Sequence, residues 1–189
     1  IEVTSFVPPR SIPQFADADA VAKATLAIDR LLASALAVNL KGAIRAFDAG
    51  LRKVNYVISA SEAHSLANVR RSREDAIAVF GEIVQERERR GLTSQVSLGC
   101  GIATAFGCTI QGRVVEEDVI RIAGRLAEMG ADEILVADTV GYGNPEAVRR
   151  IFAGVASAGA GVPVVAHFHD PRGLGLANMV AALEQGVRR

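Results

Sequence analysis

The chain has 189 residues, half of them hydrophobic and 22% charged, with 21 basic side chains against 21 acidic ones. That is enough apolar material for one sizeable core, and the balanced charge offers no net field to draw in nucleic acid or an anionic membrane. Only Cys100 and Cys108 are present, which excludes a disulfide framework or a zinc ribbon and points to a reducing, cytoplasmic setting. No apolar run reaches the roughly 18 residues of a membrane span, and the amino terminus lacks a basic flank and cleavage pattern.

In chain order, strand-like and helix-like segments alternate. Strands are predicted at 1–7 (IEVTSFV), 33–39, 53–59, 94–100 (SQVSLGC), 132–138 and 163–169 (PVVAHFH). Several are near-continuous apolar runs, as expected of strands covered on both faces. Helices are predicted at 17–32, 41–50, 72–91, 115–130, 144–159 and 175–186. In 72–91 the residues Ile77, Phe80, Ile83 and Val84 fall on one stripe, while the QERERR cluster at 85–90 reads as a solvated face. Asn144 and Pro145 form a cap followed by a proline at the first helical position.

Such an alternation predicts an α/β fold with a parallel sheet. No strand is followed by GxGxxG or GxxxxGK[ST], which weakens a nucleotide-binding open sheet. Polar residues collect instead at strand ends: Asn39, Ser59 to Glu62, Asp138 with Thr139, and His167 with His169 and Asp170. A (β/α)8 barrel builds its active site from the carboxy ends of its strands and typically needs about 250 residues. The reading is therefore a single partial barrel domain over 1–189 with about six βα units.

Within that frame, the segment VVAHFHD puts His167 and His169 on one side of a strand and Phe168 on the other. The two imidazoles could ligate a divalent cation, or be a hydrogen-bonded core pair. Asp138 could be a base, an orienter of a histidine, or an acceptor for the amides of the turn that follows it. Glu2 falls where the pattern predicts burial, so it needs a partner, for which an arginine is expected. His64 reads as exposed on a polar loop or short helix, Cys108 as a small buried hydrophobe, and GLGLAN (173–178) as a glycine turn opening a helix.

The stretches IEVTSFVPPRSIPQFAD, NLKGAIRAFDAG, SASEAHSLANVRRS, AFGC, EILVADTVGYGNPE and HFHDPRGLGLANMVAALEQGV run in order across the chain. Jointly they resemble 3-hydroxy-3-methylglutaryl-CoA lyase, within the wider group of metal-dependent barrel lyases and acyl synthases. The resemblance implies a barrel of which this chain supplies strands two to seven. It implies that His167 and His169 bind Mg2+ or Mn2+, that Glu2, Asp138 and His167 are catalytic, and that Ser5, Asn39 and Thr139 contact the acyl-CoA substrate. The implied reaction is retro-Claisen cleavage of 3-hydroxy-3-methylglutaryl-CoA to acetyl-CoA and acetoacetate, a step of leucine degradation.

The alternatives are a condensing synthase of the isopropylmalate synthase type and an inactive remnant or binding module. The family's Arg-Asp pair would lie before Ile1, and its asparagine ligand and cysteine loop beyond Arg189, so residues 1–189 alone are expected to be inactive. Exposed edges of the first and last strands lead to the expectation of a homo-oligomer. Two departures lie near the mouth: GCTIQG replaces the usual GCPYEG at Thr109, Ile110 and Gln111, and Pro171 stands where a threonine is usual.

Overall fold

A computed structural model describes residues 1–189. Six strands, β1 (Glu2–Phe6), β2 (Ser34–Ala37), β3 (Lys53–Ser59), β4 (Ser97–Ala103), β5 (Glu133–Asp138) and β6 (Val164–Phe168), lie in one sheet in the order of the sequence. Seven helices accompany them: α1 (Ala18–Leu26), α2 (Leu40–Asp48), α3 (Glu62–Val69), α4 (Arg73–Arg89), α5 (Glu116–Glu128), α6 (Pro145–Ala158) and α7 (Gly175–Glu184), with a short 3-10 turn at Pro13–Phe15. A doubly wound sheet reverses its strand order at a switch point. This one does not, and the parallel pairs β1·β2, β2·β3 and β5·β6 step in one direction as in consecutive units of a (β/α)8 barrel.

The chain divides into two compact units, Ile1–Val57 with Ala78–Gly99, and Ile58–Ile77 with Cys100–Arg189. The boundaries fall inside β3, α4 and β4 instead of at a linker. In the first unit Phe6 is buried and lies under the Arg45 guanidinium, 5.0 Å from its ring centre. A Cβ on Gly42 of α2 would stand 2.6 Å from the Phe6 carbonyl oxygen, so glycine allows the helix to approach β1. Arg87 corrects the reading of QERERR as a solvated face: it is buried, and its Nη1 donates to the Val96 carbonyl at 3.1 Å. Glu86 accepts from both Arg89 and Arg90, and these hydrogen bonds hold its carboxyl at about 2.

In the second unit the helix pattern is regular. α5 buries Val119, Ile122, Ala123 and Leu126, and α6 buries Val148, Ile151, Phe152 and Val155, the same i, i+3, i+4, i+7 spacing in each. Asn144 Oδ1 accepts from Ala147 N at 3.0 Å, the expected cap, with Pro145 following it. After α7 the chain returns to β6, where Ala166 N donates to Arg189 O at 3.0 Å.

The element bounds depart most from the sequence reading in α1, predicted to run to 32 but ending at Leu26, and in β4. β4 begins three residues later than predicted, because 92–96 form a turn on the Leu92 carbonyl, and it runs on through Gly101 to Ala103. Leu98, Cys100 and Ile102 alternate in its buried face, so the glycines that look like a strand end lie within the strand. Residues 62–69, left open between loop and helix, form α3.

Candidate metal and substrate site

β6 alternates. Phe168 packs on Phe106 and on buried Phe152 of α6, with ring centres 6.1 and 6.0 Å apart, so that side of the strand faces the helices. His167 must point the other way. It is exposed, and so is His169, and their Nε2 atoms stand 3.0 Å apart. This is no pair of core histidines. Two nitrogen donors converging on one point suit a divalent cation as two of its ligands. No third histidine, cysteine, aspartate or glutamate joins them to make a three-ligand group.

Asp138 does not converge with the imidazoles as expected. Across the β5·β6 ladder, Ala137 is level with His167 and Asp138 with Phe168, and level residues of parallel strands share a face. Asp138 is buried, and its two oxygens accept from Tyr142 N and Gly143 N, both at 2.9 Å. The carboxylate thus closes the loop after β5, which is the third of the readings open for it.

Thr139 Oγ1 accepts from Thr104 N at 2.8 Å, Ala105 N donates to Ala137 O at 3.1 Å, and Ala60 N donates to Ala103 O at 2.8 Å. These bonds tie together the carboxy ends of β3, β4 and β5 within the unit. His169 N adds β6 by a longer bond to Asp138 O, at 3.4 Å.

At the same ends lies a polar cluster that the sequence reading missed. Ser61 is the cap of α3: its Oγ accepts from His64 N and donates to Gln111 Oε1 at 3.0 Å, and its N donates to Thr104 Oγ1. Gln111 Oε1 also accepts from Ala63 N, so the amide standing in the usual carboxylate position keeps an acceptor on the helix start without the charge. His64 is half-buried, not exposed; its Nδ1 hydrogen bonds to Ser59 Oγ, and burial holds the imidazole below its usual pKa. The S-x-x spacing ahead of α3 was the available signal for the cap.

Cys108 is buried as expected, but it is not a plain hydrophobe. Burial pushes its thiol up, yet hydrogen bonds from Ser61 and from the amides of Gln111 and Ile110 outweigh this, and the net shift is downward. Cys100, fully enclosed, is pushed well up by burial.

The first unit holds the remaining sequence-derived residues. Glu2 is exposed, not buried; its carboxylate accepts from Asn55 Nδ2 at 2.9 Å, so the partner is an amide where an arginine was expected. Ser5 is buried and donates to Leu36 O at 3.4 Å. Asn39 caps α2, its Oδ1 accepting from Gly42 N at 2.8 Å. The level rows Ser5, Leu36 and Asn55 share one face of the sheet, opposite to Phe6. No helix is long and apolar enough to cross a membrane.

A family model described as HMGL-like matches residues 1–189. A hydroxymethylglutaryl-CoA lyase of Bacillus subtilis is 35% identical over 190 residues, which cover 99% of this chain and 61% of that protein. An (R)-citramalyl-CoA lyase of Chloroflexus aurantiacus is also 35% identical, with 100% and 61% covered. Among solved structures, an HMG-CoA lyase from Acenitobacter baumannii in complex with coenzyme A and 3-methylmalate superposes with a TM-score of 0.91 at 37% identity, covering 100% of this chain and 60% of that one. The chain therefore spans about three-fifths of the length of the relatives it matches. With the barrel-like strand order, the histidine pair and a match along its whole length, the chain belongs to the HMGL-like family.

Proposed function

We propose that this chain carries the metal-binding histidines and candidate substrate contacts of a divalent-metal-dependent carbon–carbon lyase acting on a 3-hydroxyacyl-CoA, 3-hydroxy-3-methylglutaryl-CoA or a close analogue. The observation that carries the reading is the pair of imidazole nitrogens 3.0 Å apart at the end of β6, in a chain that matches the family from end to end. His167 and His169 would hold Mg2+ or Mn2+. When bound, such an ion lowers the pKa of a substrate hydroxyl and orients its oxygens.

The reaction asks for few groups. The C3 hydroxyl gives up its proton, the C2–C3 bond breaks to leave a ketone, and the electron pair passes to an enolate of the thioester, which is then protonated at C2. Acetyl-CoA and acetoacetate result when the acyl group is 3-hydroxy-3-methylglutaryl. For the first proton, exposed His167 is the acceptor we assign in preference to Asp138, whose oxygens are both taken. Asp138 serves by position, keeping the rim loop closed.

The three candidate substrate contacts each keep a spare polar atom. Asn39 uses its carbonyl oxygen as a cap and leaves its NH2 to donate. Thr139 uses its oxygen lone pair and leaves its O–H. Ser5 spends its proton and leaves lone pairs. Glu2, a candidate catalytic carboxylate, is anchored on one oxygen by Asn55 and keeps the other to accept a donor. The equal identities to a hydroxymethylglutaryl-CoA lyase and to a citramalyl-CoA lyase support the thioester class in preference to one acyl group.

The test is a panel of 3-hydroxyacyl-CoA thioesters with Mn2+ or Mg2+, offered to residues 1–189 and to the chain extended through its flanking coding sequence. Release of acetyl-CoA from at least one thioester by the extended chain, with little or none from 1–189, is expected. Failure of the extended chain on every thioester overturns the proposal.

A further inference from the structure

Three loops at the carboxy ends of β4, β5 and β6 interlock through glycines that have no room for a side chain. Gly107, after β4, has φ +144°, and a Cβ there would come within 2.8 Å of Tyr142 Cδ2. Gly141, after β5, has φ +70°, is buried, and has the Pro171 ring lying where its Cβ would be. Gly143 has no space either: a Cβ would stand 2.9 Å from Asp138 Oδ2 and 3.2 Å from Phe106 Cγ. Both positive φ values favour glycine in any case.

Pro171 follows the histidines by two residues, in the turn between β6 and α7. Its ring seats on the bare Cα of Gly141, the next residue, Arg172, donates through Nη1 to Tyr142 O at 3.4 Å, and His169 N donates to Asp138 O at 3.4 Å. The two polar bonds are long, so the close fit of ring on glycine is the tightest link between the β6–α7 turn and the loop after β5. Asp138 in turn fixes that loop by both carboxylate oxygens.

We propose that Pro171, acting through Gly141, is a positioning residue for His169: the ring in its glycine notch sets where the end of β6 stops, and hence the separation of the two imidazoles. Proline brings neither a hydroxyl nor a backbone donor to the turn and acts as a rigid steric stop. The inference rests on the reading of the histidines as a cation site, but its first readout does not need a cation.

The chain has three histidines, His64, His167 and His169, so imidazole carbon–proton NMR signals can be assigned by single substitution. In metal-free protein, Pro171→Ala and Gly141→Ala should each shift or broaden the His167 and His169 signals and leave His64 in place. The variant carrying both changes should be no worse than the worse single one, because each breaks the same contact. Mn2+ titration of the same samples should show affinity lowered about tenfold, which corresponds to about 1.4 kcal/mol.

If both single variants lower the melting temperature but leave His167 and His169 signals unmoved, or if their effects add, the proposal is overturned. Should Gly141→Ala fail to fold, Pro171→Ala alone decides by the same signals. Absence of Mn2+ binding by the unmodified chain would sink the cation reading, while the metal-free spectra would still decide the positioning role.

Discussion

The Nε2 atoms of His167 and His169 face each other at 3.0 Å on the exposed side of β6. At that distance the two nitrogens can serve one ion together. Replacing either His167 or His169 by alanine should lower Mn2+ affinity by about tenfold or more, close to the effect of replacing both, since one imidazole cannot chelate. Electron paramagnetic resonance of free Mn2+ measures this; undiminished binding by either single variant would count against a shared site.

Asp138 sits on the opposite face from those rings and spends both oxygens on the amides of Tyr142 and Gly143. Asp138→Ala strands the buried Gly143 amide and its neighbour, and should cost about 2 kcal/mol in urea unfolding. A loss confined to turnover, with stability intact, would return Asp138 to a direct chemical role.

Phe152 is fully buried against Phe106 and Phe168. Phe152→Ala should destabilise by about 3–5 kcal/mol, and by undermining Phe168 it should also disturb the neighbouring imidazoles. Chemical denaturation together with the His167 NMR signal checks both parts, and a stable variant with an unmoved His167 would contradict the coupling.

Acid should act in two stages. Burial holds the folded-state pKa of His64 below the ordinary imidazole value of 6.5, so its stability contribution is present above that pH and is lost as pH falls through the folded value. Glu86 is held at about 2 against 4.5 by its arginines, and its contribution is present above 4.5 and lost as pH falls toward 2. The thermal midpoint should therefore fall first below pH 6.5, a step that His64→Gln removes, and again below 4.5, a step that Glu86→Gln reduces. A fall in midpoint across the upper window that persists in His64→Gln would exclude burial of this imidazole as the cause.

Much of this was legible from spacing. The i, i+3, i+4 patterns placed α5 and α6, Asn144-Pro145 marked a helix start, and the alternation in HFH separated Phe168 from its histidine neighbours before any coordinates. What spacing does not carry is register between strands. Asp138 ends its strand as His167 nearly ends the next, and only the ladder shows that it is Ala137 which stands beside His167. Glu2 looked buried from the pattern of its own strand, which does not carry its contact with Asn55 of β3. The Ser61–Gln111 contact joins residues 50 apart in the chain, beyond the reach of any local spacing.

Phe168 lies between two imidazoles in the chain and between two phenylalanine rings in space. A one-residue slip of β6 would drive a histidine among the aromatics and expose the phenyl ring, so mis-threading of this strand is penalised by the interior long before any ligand is present. Insertions and deletions should consequently be rejected within β6: the oily half of the strand proofreads the frame in which its reactive half is presented.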